Sequence, residues 1–115
     1  MAARLVVGLF TGYGLALDAY HRLHTEGFPE THLAYHILAE GGPAPPSVGV
    51  EPSALQIDPP ALDEARRAFA RFLRSGETAV FVQTEDDSEA GAATGILTLY
   101  APLAVEALVS DGGGR

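Results

Sequence analysis

One stretch of this sequence, residues 5–33, constrains the fold more than any other. It begins with the apolar run LVVGLF, continues with TGYGLALDAYHRLHTEG and ends with FPETHL. Within its middle part the apolar positions recur at the i, i+3, i+4, i+7 spacing of a helix, namely Ala16, Ala19, Tyr20 and Leu23. Gly27 suits the left-handed residue that follows a helix, and Pro29 prevents the helix from continuing. The stretch therefore predicts a β-α-β unit.

The helical spacing of apolar residues, and the apolar or alternating runs typical of strands, predict the remaining elements. Strands are expected at residues 4–10, 31–39, 78–84 and 103–109. Helices are expected at residues 13–26, 60–75 and 88–100. Residues 41–53, which hold three prolines within four residues, are predicted to form a surface loop, and residues 111–115 a disordered tail. Residues 1–110 are then one domain.

This order of elements predicts an α+β fold. Two β-α-β halves with right-handed crossovers give a ferredoxin-like β-α-β-(α)-β-α-β arrangement, with a four-stranded antiparallel sheet, helices on one face and an inserted second helix. The other sheet face then needs a cover, because its strands are apolar. Either the inserted helix or a second subunit can supply it.

Composition narrows the classes of function. Fifteen acidic residues against seven arginines and no lysine give a net charge of −8, which disfavours nucleic-acid binding. No apolar run approaches the length of a membrane span, and the first ten residues lack the pattern of a signal peptide. The absence of cysteine excludes disulfides and thiolate metal sites. A cytoplasmic location is expected.

The opening stretch resembles the start of a bacterial family of heat-induced or general stress proteins. The matching positions are Leu9, Phe10, Ala16, Ala19, Leu23, Gly27, Phe28 and Pro29. A second match is SGETAVFVQT, which is similar to the family's Gly-led strand after a helix. The sequence departs from the family in its Pro-rich loop and in lacking the acidic turn after the first strand. The resemblance implies a small non-enzymatic domain linked to stress or regulation, with no catalytic residues to carry over.

Four histidines within sixteen residues are the main candidates for chemistry. His21 and His24 lie three apart on the first helix, a spacing that can share a metal ion. His32 and His36 are predicted on one face of the second strand, about 13 Å apart at roughly 3.3 Å per residue, so they cannot chelate one ion by themselves. The alternative for all four is partly exposed surface histidines without a ligand.

Tyr20 and Tyr35 are predicted on inward faces, where aromatic residues are core by default. They are also candidates, with His32 and His36, for lining a small-molecule cavity. The leading interpretation is a domain without catalytic activity or cofactor that forms a homodimer through its sheet face. The alternative is a dimeric α+β-barrel protein, a small-molecule binder or minor enzyme with a His-lined pocket.

Overall fold

The computed structural model describes residues 3–38, 55, 57, 59–74 and 76–110. Within these residues, four strands alternate with three helices. The strands are β1 (Ala3–Phe10), β2 (Leu33–Ile37), β3 (Thr78–Thr84) and β4 (Ala104–Ser110). The helices are α1 (Tyr13–Thr25), α2 (Pro59–Ala68) and α3 (Asp87–Thr98). The predicted loop 41–53 and tail 111–115 lie outside the described residues.

The strands form one sheet in the order β2-β3-β1-β4, and every neighbouring pair is antiparallel. The predicted four-stranded antiparallel sheet and the α+β class are confirmed. β1 and β3 lie in the centre, and their apolar runs explain this position because both faces of each strand are buried. Val7 marks the register at the middle of the sheet, since it pairs with Phe81 on one side and Glu106 on the other.

One face of the sheet packs against α1 and α3. The helices contribute their small and apolar stripes, and the strands contribute alternate residues that point to this side. The fully buried members of this core are Val6, Phe10, Ala16, Ala19, Leu23, Leu33, Val80, Val82, Ala93 and Leu97. Since a methyl group is all that Ala16 and Ala19 present, α1 can lie close to the strands.

The opposite face of the sheet is covered by α2. Ala65 and Phe69 are fully buried there against residues of the central strands, among them Val7, Leu9 and Phe81. Sequence analysis left open whether the inserted helix or a second subunit would cover this face. The structure assigns the cover over β1 and β3 to α2, so these strands are buried on both sides within a single chain.

Two element boundaries differ from the prediction for the same physical reason, a switch from extended or α-helical backbone to 3₁₀ hydrogen bonding. The second strand begins at Leu33 rather than at residue 31, because the amide of His32 donates to the carbonyl of Pro29 over 2.8 Å and closes a 3₁₀ turn. Helix α2 ends at Ala68 rather than at residue 75. Beyond it the amide of Phe72 donates to the carbonyl of Phe69 over 2.8 Å.

The third helix is present as predicted, but it starts one residue earlier. Asp86 is its N-cap, and its carboxylate accepts from the amide of Glu89 over 2.8 Å. The side chain of Glu89 in turn accepts from the amide of Glu85 over 2.9 Å. The first bond satisfies an amide that the first helical turn leaves without a partner, and the second ties the residue before the N-cap to the same turn.

Replacing Gly8 should destabilise the fold. A Cβ atom at this central position of β1 would lie 3.2 Å from both methyl carbons of Leu97 and 3.3 Å from the ring of Phe10. We expect Gly8→Val to lower the free energy of unfolding by about 1–3 kcal/mol, as overpacking of a core does. Urea denaturation measures the change. Gly95→Ala on α3 is the control, because a Cβ there meets nothing within 4 Å. This substitution should raise the free energy of unfolding by about 0.4–1 kcal/mol. An unchanged Gly8→Val variant would contradict the close packing of α3 on β1.

Truncating Phe69 should show how much the α2 cover contributes. The side chain is fully buried, so Phe69→Ala is expected to lower the free energy of unfolding by about 3–5 kcal/mol. Phe72 is a matched control, because it is only half-buried at the margin of the same cluster. Phe72→Ala should therefore lower the free energy of unfolding by less. Thermal and urea unfolding of both variants supply the comparison. Equal losses would show that α2 does not seal this face.

Candidate functional site

His36 lies in the layer between the sheet and α2. It follows Ala34 by two residues on β2 and pairs with Ala79 of β3, so its side chain points to the face that α2 covers. Its ring meets Phe81 edge to face, with centroids 5.7 Å apart and an interplanar angle of 78°. The imidazole is half-buried. A titratable ring is therefore held against an apolar surface near an edge of the sheet.

Arg66 belongs to the same layer. It follows the fully buried Ala65 on α2, and its Nε atom is buried without a hydrogen-bond partner in the described part of the chain. Its NH1 group donates to Asp63 over 3.3 Å, which is a long contact on an exposed side chain. The side chain of Arg66 is 40% exposed, so its far end reaches solvent while its Nε does not. The guanidinium is therefore only partly satisfied.

The surroundings of His36 change its titration. Burial lowers the pKa of His36 below its ordinary value of 6.5, and the positive charge of Arg66 lowers it further. The imidazole is therefore mainly neutral at pH 7, with one nitrogen able to donate and one able to accept a hydrogen bond. A mainly neutral imidazole thus lies within the electrostatic influence of a guanidinium.

The two predicted tyrosines lie on the opposite side of the sheet. Tyr20 of α1 and Tyr35 of β2 meet edge to face with centroids 5.2 Å apart, and Tyr13 meets Tyr35 at 5.8 Å. Both predicted tyrosines pack with the α1 and α3 core. Because Tyr35 and His36 are consecutive on a strand, they point to opposite faces. The four predicted ligand residues therefore do not form one group.

His32 also stands apart from His36. It lies in the 3₁₀ turn Glu30–His32 rather than on β2, so the predicted shared strand face does not include it. The turn forms because Pro29 ends the preceding segment and its carbonyl accepts the amide of His32. His36 is therefore the one member of this predicted pair that lies in the layer beneath α2.

The helical pair His21 and His24 is exposed on α1. The ring of His21 meets Tyr20 edge to face at 5.8 Å, and Nε2 of His24 lies 3.9 Å from a carboxylate oxygen of Glu30. Among the described residues, no group of three or more His, Asp or Glu side chains is arranged to hold a metal ion. Two histidines one turn apart therefore have no third protein ligand in that part of the chain.

Arg66 is the residue that sequence reasoning missed as a site candidate. Its spacing carries a signal, because it lies four residues after Leu62 and three before Phe69, both on the apolar face. At that spacing the Arg66 stem lies at the margin of the buried stripe.

Comparisons of this chain with protein-family models, with curated proteins and with solved structures find no match. The resemblance to heat-induced stress proteins therefore stays a prediction. Among the described residues, no helix is long and apolar enough to cross a bilayer.

Acidification should destabilise the protein through His36. Since folding lowers the pKa of this imidazole, the unfolded chain binds more protons below pH 6.5, and the free energy of unfolding falls as pH drops through that value. Urea denaturation between pH 7.5 and 5.0 measures the loss. His36→Gln, which cannot charge, should have a flatter pH profile. His21 is exposed on α1, so His21→Gln should keep the slope of the wild type. Equal slopes for all three proteins would refute the assignment of this pH dependence to His36.

Proposed function

We propose that this chain is a ferredoxin-like domain that binds a small ligand in the layer between α2 and the end of β2. The ferredoxin-like assignment is supported by the strand order. β1 and β2 are both antiparallel to β3, so they are parallel to each other with one strand between them. β3 and β4 are related in the same way around β1. This is the pattern of two interleaved split β-α-β units.

The observation that carries the binding proposal is the partly satisfied Arg66 beside His36. A buried donor without a partner costs about 1–3 kcal/mol, so a fold that needed only packing would place an apolar residue there. Many of its neighbours in this layer are apolar, among them Ala65, Phe69 and Phe81, and the buried carboxylate Glu77 lies beside Leu38 of the same cluster. Packing does not require this polar pair, and solvent can reach it from one side. Polar groups placed in this way within an apolar surface are typical of small-molecule sites.

This proposal favours the ligand-binding alternative over a homodimer through the sheet face. The dimer was inferred because one sheet face was expected to lack a cover, and α2 buries that face over β1 and β3. A net charge of −8 also opposes the association of two identical chains at low salt.

A screen with a small-molecule library of mixed charge tests the proposal. Two-dimensional NMR of the labelled protein should reveal compounds that shift the resonances of Ala34, His36, Ala65, Arg66 and Phe81. His36→Ala should weaken binding of those compounds at least several-fold. Tyr35→Phe is the matched control, because it changes the neighbouring residue on the opposite face and should bind as the wild type does.

Two outcomes would overturn the proposal. One is a set of hits that maps to the Tyr20 and Tyr35 side of the sheet. The other is a library in which no compound of any charge shifts the resonances of His36 and Arg66.

A further inference from the structure

We infer that the outer edge of β4 is a docking surface for an extended segment of a partner protein in which Lys or Arg alternates with apolar residues. The docked segment adds a fifth strand to the sheet beside β4. Since β4 and β2 lie at opposite edges of the sheet, this surface is separate from the layer between α2 and β2. The inference therefore goes beyond the proposed function and does not rest on it.

The first support is the backbone along the outer edge of β4. This strand pairs with β1 on one side, and no described residue pairs with its other side. At the opposite edge of the sheet, the carbonyl of Leu33 on β2 accepts from the amide of Leu55 over 2.9 Å, so the segment before α2 contributes a further backbone bond there. Within the described chain, β4 therefore presents a row of backbone N–H and C=O groups to an incoming strand.

The second support is that β4 lacks the features that usually block an edge. Natural edge strands are often very short, interrupted by a bulge, or supplied with proline or lysine. β4 has seven residues, AVEALVS, with neither proline nor lysine. Its register with β1 continues without a bulge from Ala104 opposite Leu9 to Ser110 opposite Ala3. A regular edge of this length can align a partner strand along its whole span.

The third support is charge, which selects the partner. Glu106 is the one charged residue of β4, and it is exposed. Residues 76–110 hold six acidic residues and no Lys, Arg or His. The N-terminus of α3 lies near the last residues of β4, because Asp87 forms an ion pair with Arg4 over 2.8 Å and Arg4 pairs with Val109. A basic strand complements this edge, whereas a second copy of the chain would bring two acidic edges together.

The alternation within the partner follows from the two faces of β4. Glu106 pairs with Val7 of the cluster beneath α2, so basic side chains are expected on that face of the added strand. Val105 packs with the core on the α1 and α3 side, and Ala107 shares its face. Apolar side chains of the partner are expected there. Leu103, just before the strand, is 37% exposed and gains cover from the same segment.

Peptide binding to the wild-type protein tests the inference. The probe is a short peptide of alternating Lys and Val with blocked ends. NMR should show saturable shifts in the amides of residues 104–110, and amides that gain a partner should exchange more slowly with solvent. A peptide of alternating Glu and Val should not bind, because its charge repels the edge. The Lys and Val peptide with methylated backbone amides should lose binding at unchanged charge, because strand addition uses its N–H groups.

Two pairs of variants locate the contact. Glu106→Lys should weaken binding of the Lys and Val peptide at least several-fold. Asp18→Lys changes the net charge equally at an exposed position of α1, so it should weaken binding much less. Leu103 and Leu15 are 37% and 38% exposed, and Leu103→Ser should weaken binding more than Leu15→Ser does. Urea unfolding establishes that each variant is folded, and the methylated peptide carries the test on the wild type if Glu106→Lys is not.

Four outcomes would overturn the inference. One is the absence of binding by the Lys and Val peptide. Another is binding that survives backbone methylation or shifts amides outside residues 104–110, because a general attraction between opposite charges would then explain it. The third is equal weakening by Glu106→Lys and Asp18→Lys. The last is a dimer in light scattering whose interface protects the amides of β4, since a second copy of the chain would then be the occupant.

Discussion

The structure depends on one constraint, which is that β1 and β3 are apolar on both faces and must be covered on both. Their pairing places Val6 opposite Val82 and Val7 opposite Phe81, so each layer of the pair points to a different side of the sheet. A β-α-β unit supplies helices for one side only, because right-handed crossovers place α1 and α3 together. The other side would expose a broad apolar surface unless another element covered it. The position of α2 follows from this requirement.

The need to cover that face also explains why the candidate site lies where it does. On this face Ala65 of α2 and Phe69, the residue after the helix, are fully buried with residues of the central strands. His36 of β2 and Arg66 of α2 are half-buried rather than enclosed. Charged and titratable groups can be accommodated there, since their apolar stems pack inward while their polar ends approach solvent. The margin of a helix that covers a sheet is thus a natural place for a ligand.

Much of the fold could be predicted because periodicity and glycine positions are local signals. Gly27, which has a φ of +111°, and the alternation of β2 from Leu33 onward behave as the sequence indicated. The 3₁₀ turns at His32 and Phe72 could not be predicted in the same way, because competition between hydrogen-bonding patterns at the end of an element depends on the packing around it. The site residues stay predictions. His36 was a candidate from its residue type, whereas Arg66 comes from an element whose position relative to β2 is a long-range property.

Arg66 shows how such a partner is recognised once the packing is known. Asp63 and Glu64 provide each of the two adjacent arginines with a carboxylate three residues away, so local sequence makes Arg66 and Arg67 equivalent. Burial distinguishes them, because the Nε of Arg66 is buried while the Arg67 side chain is 71% exposed. Burying a donor that has no acceptor among the described residues opposes folding, and Arg67 meets no such cost.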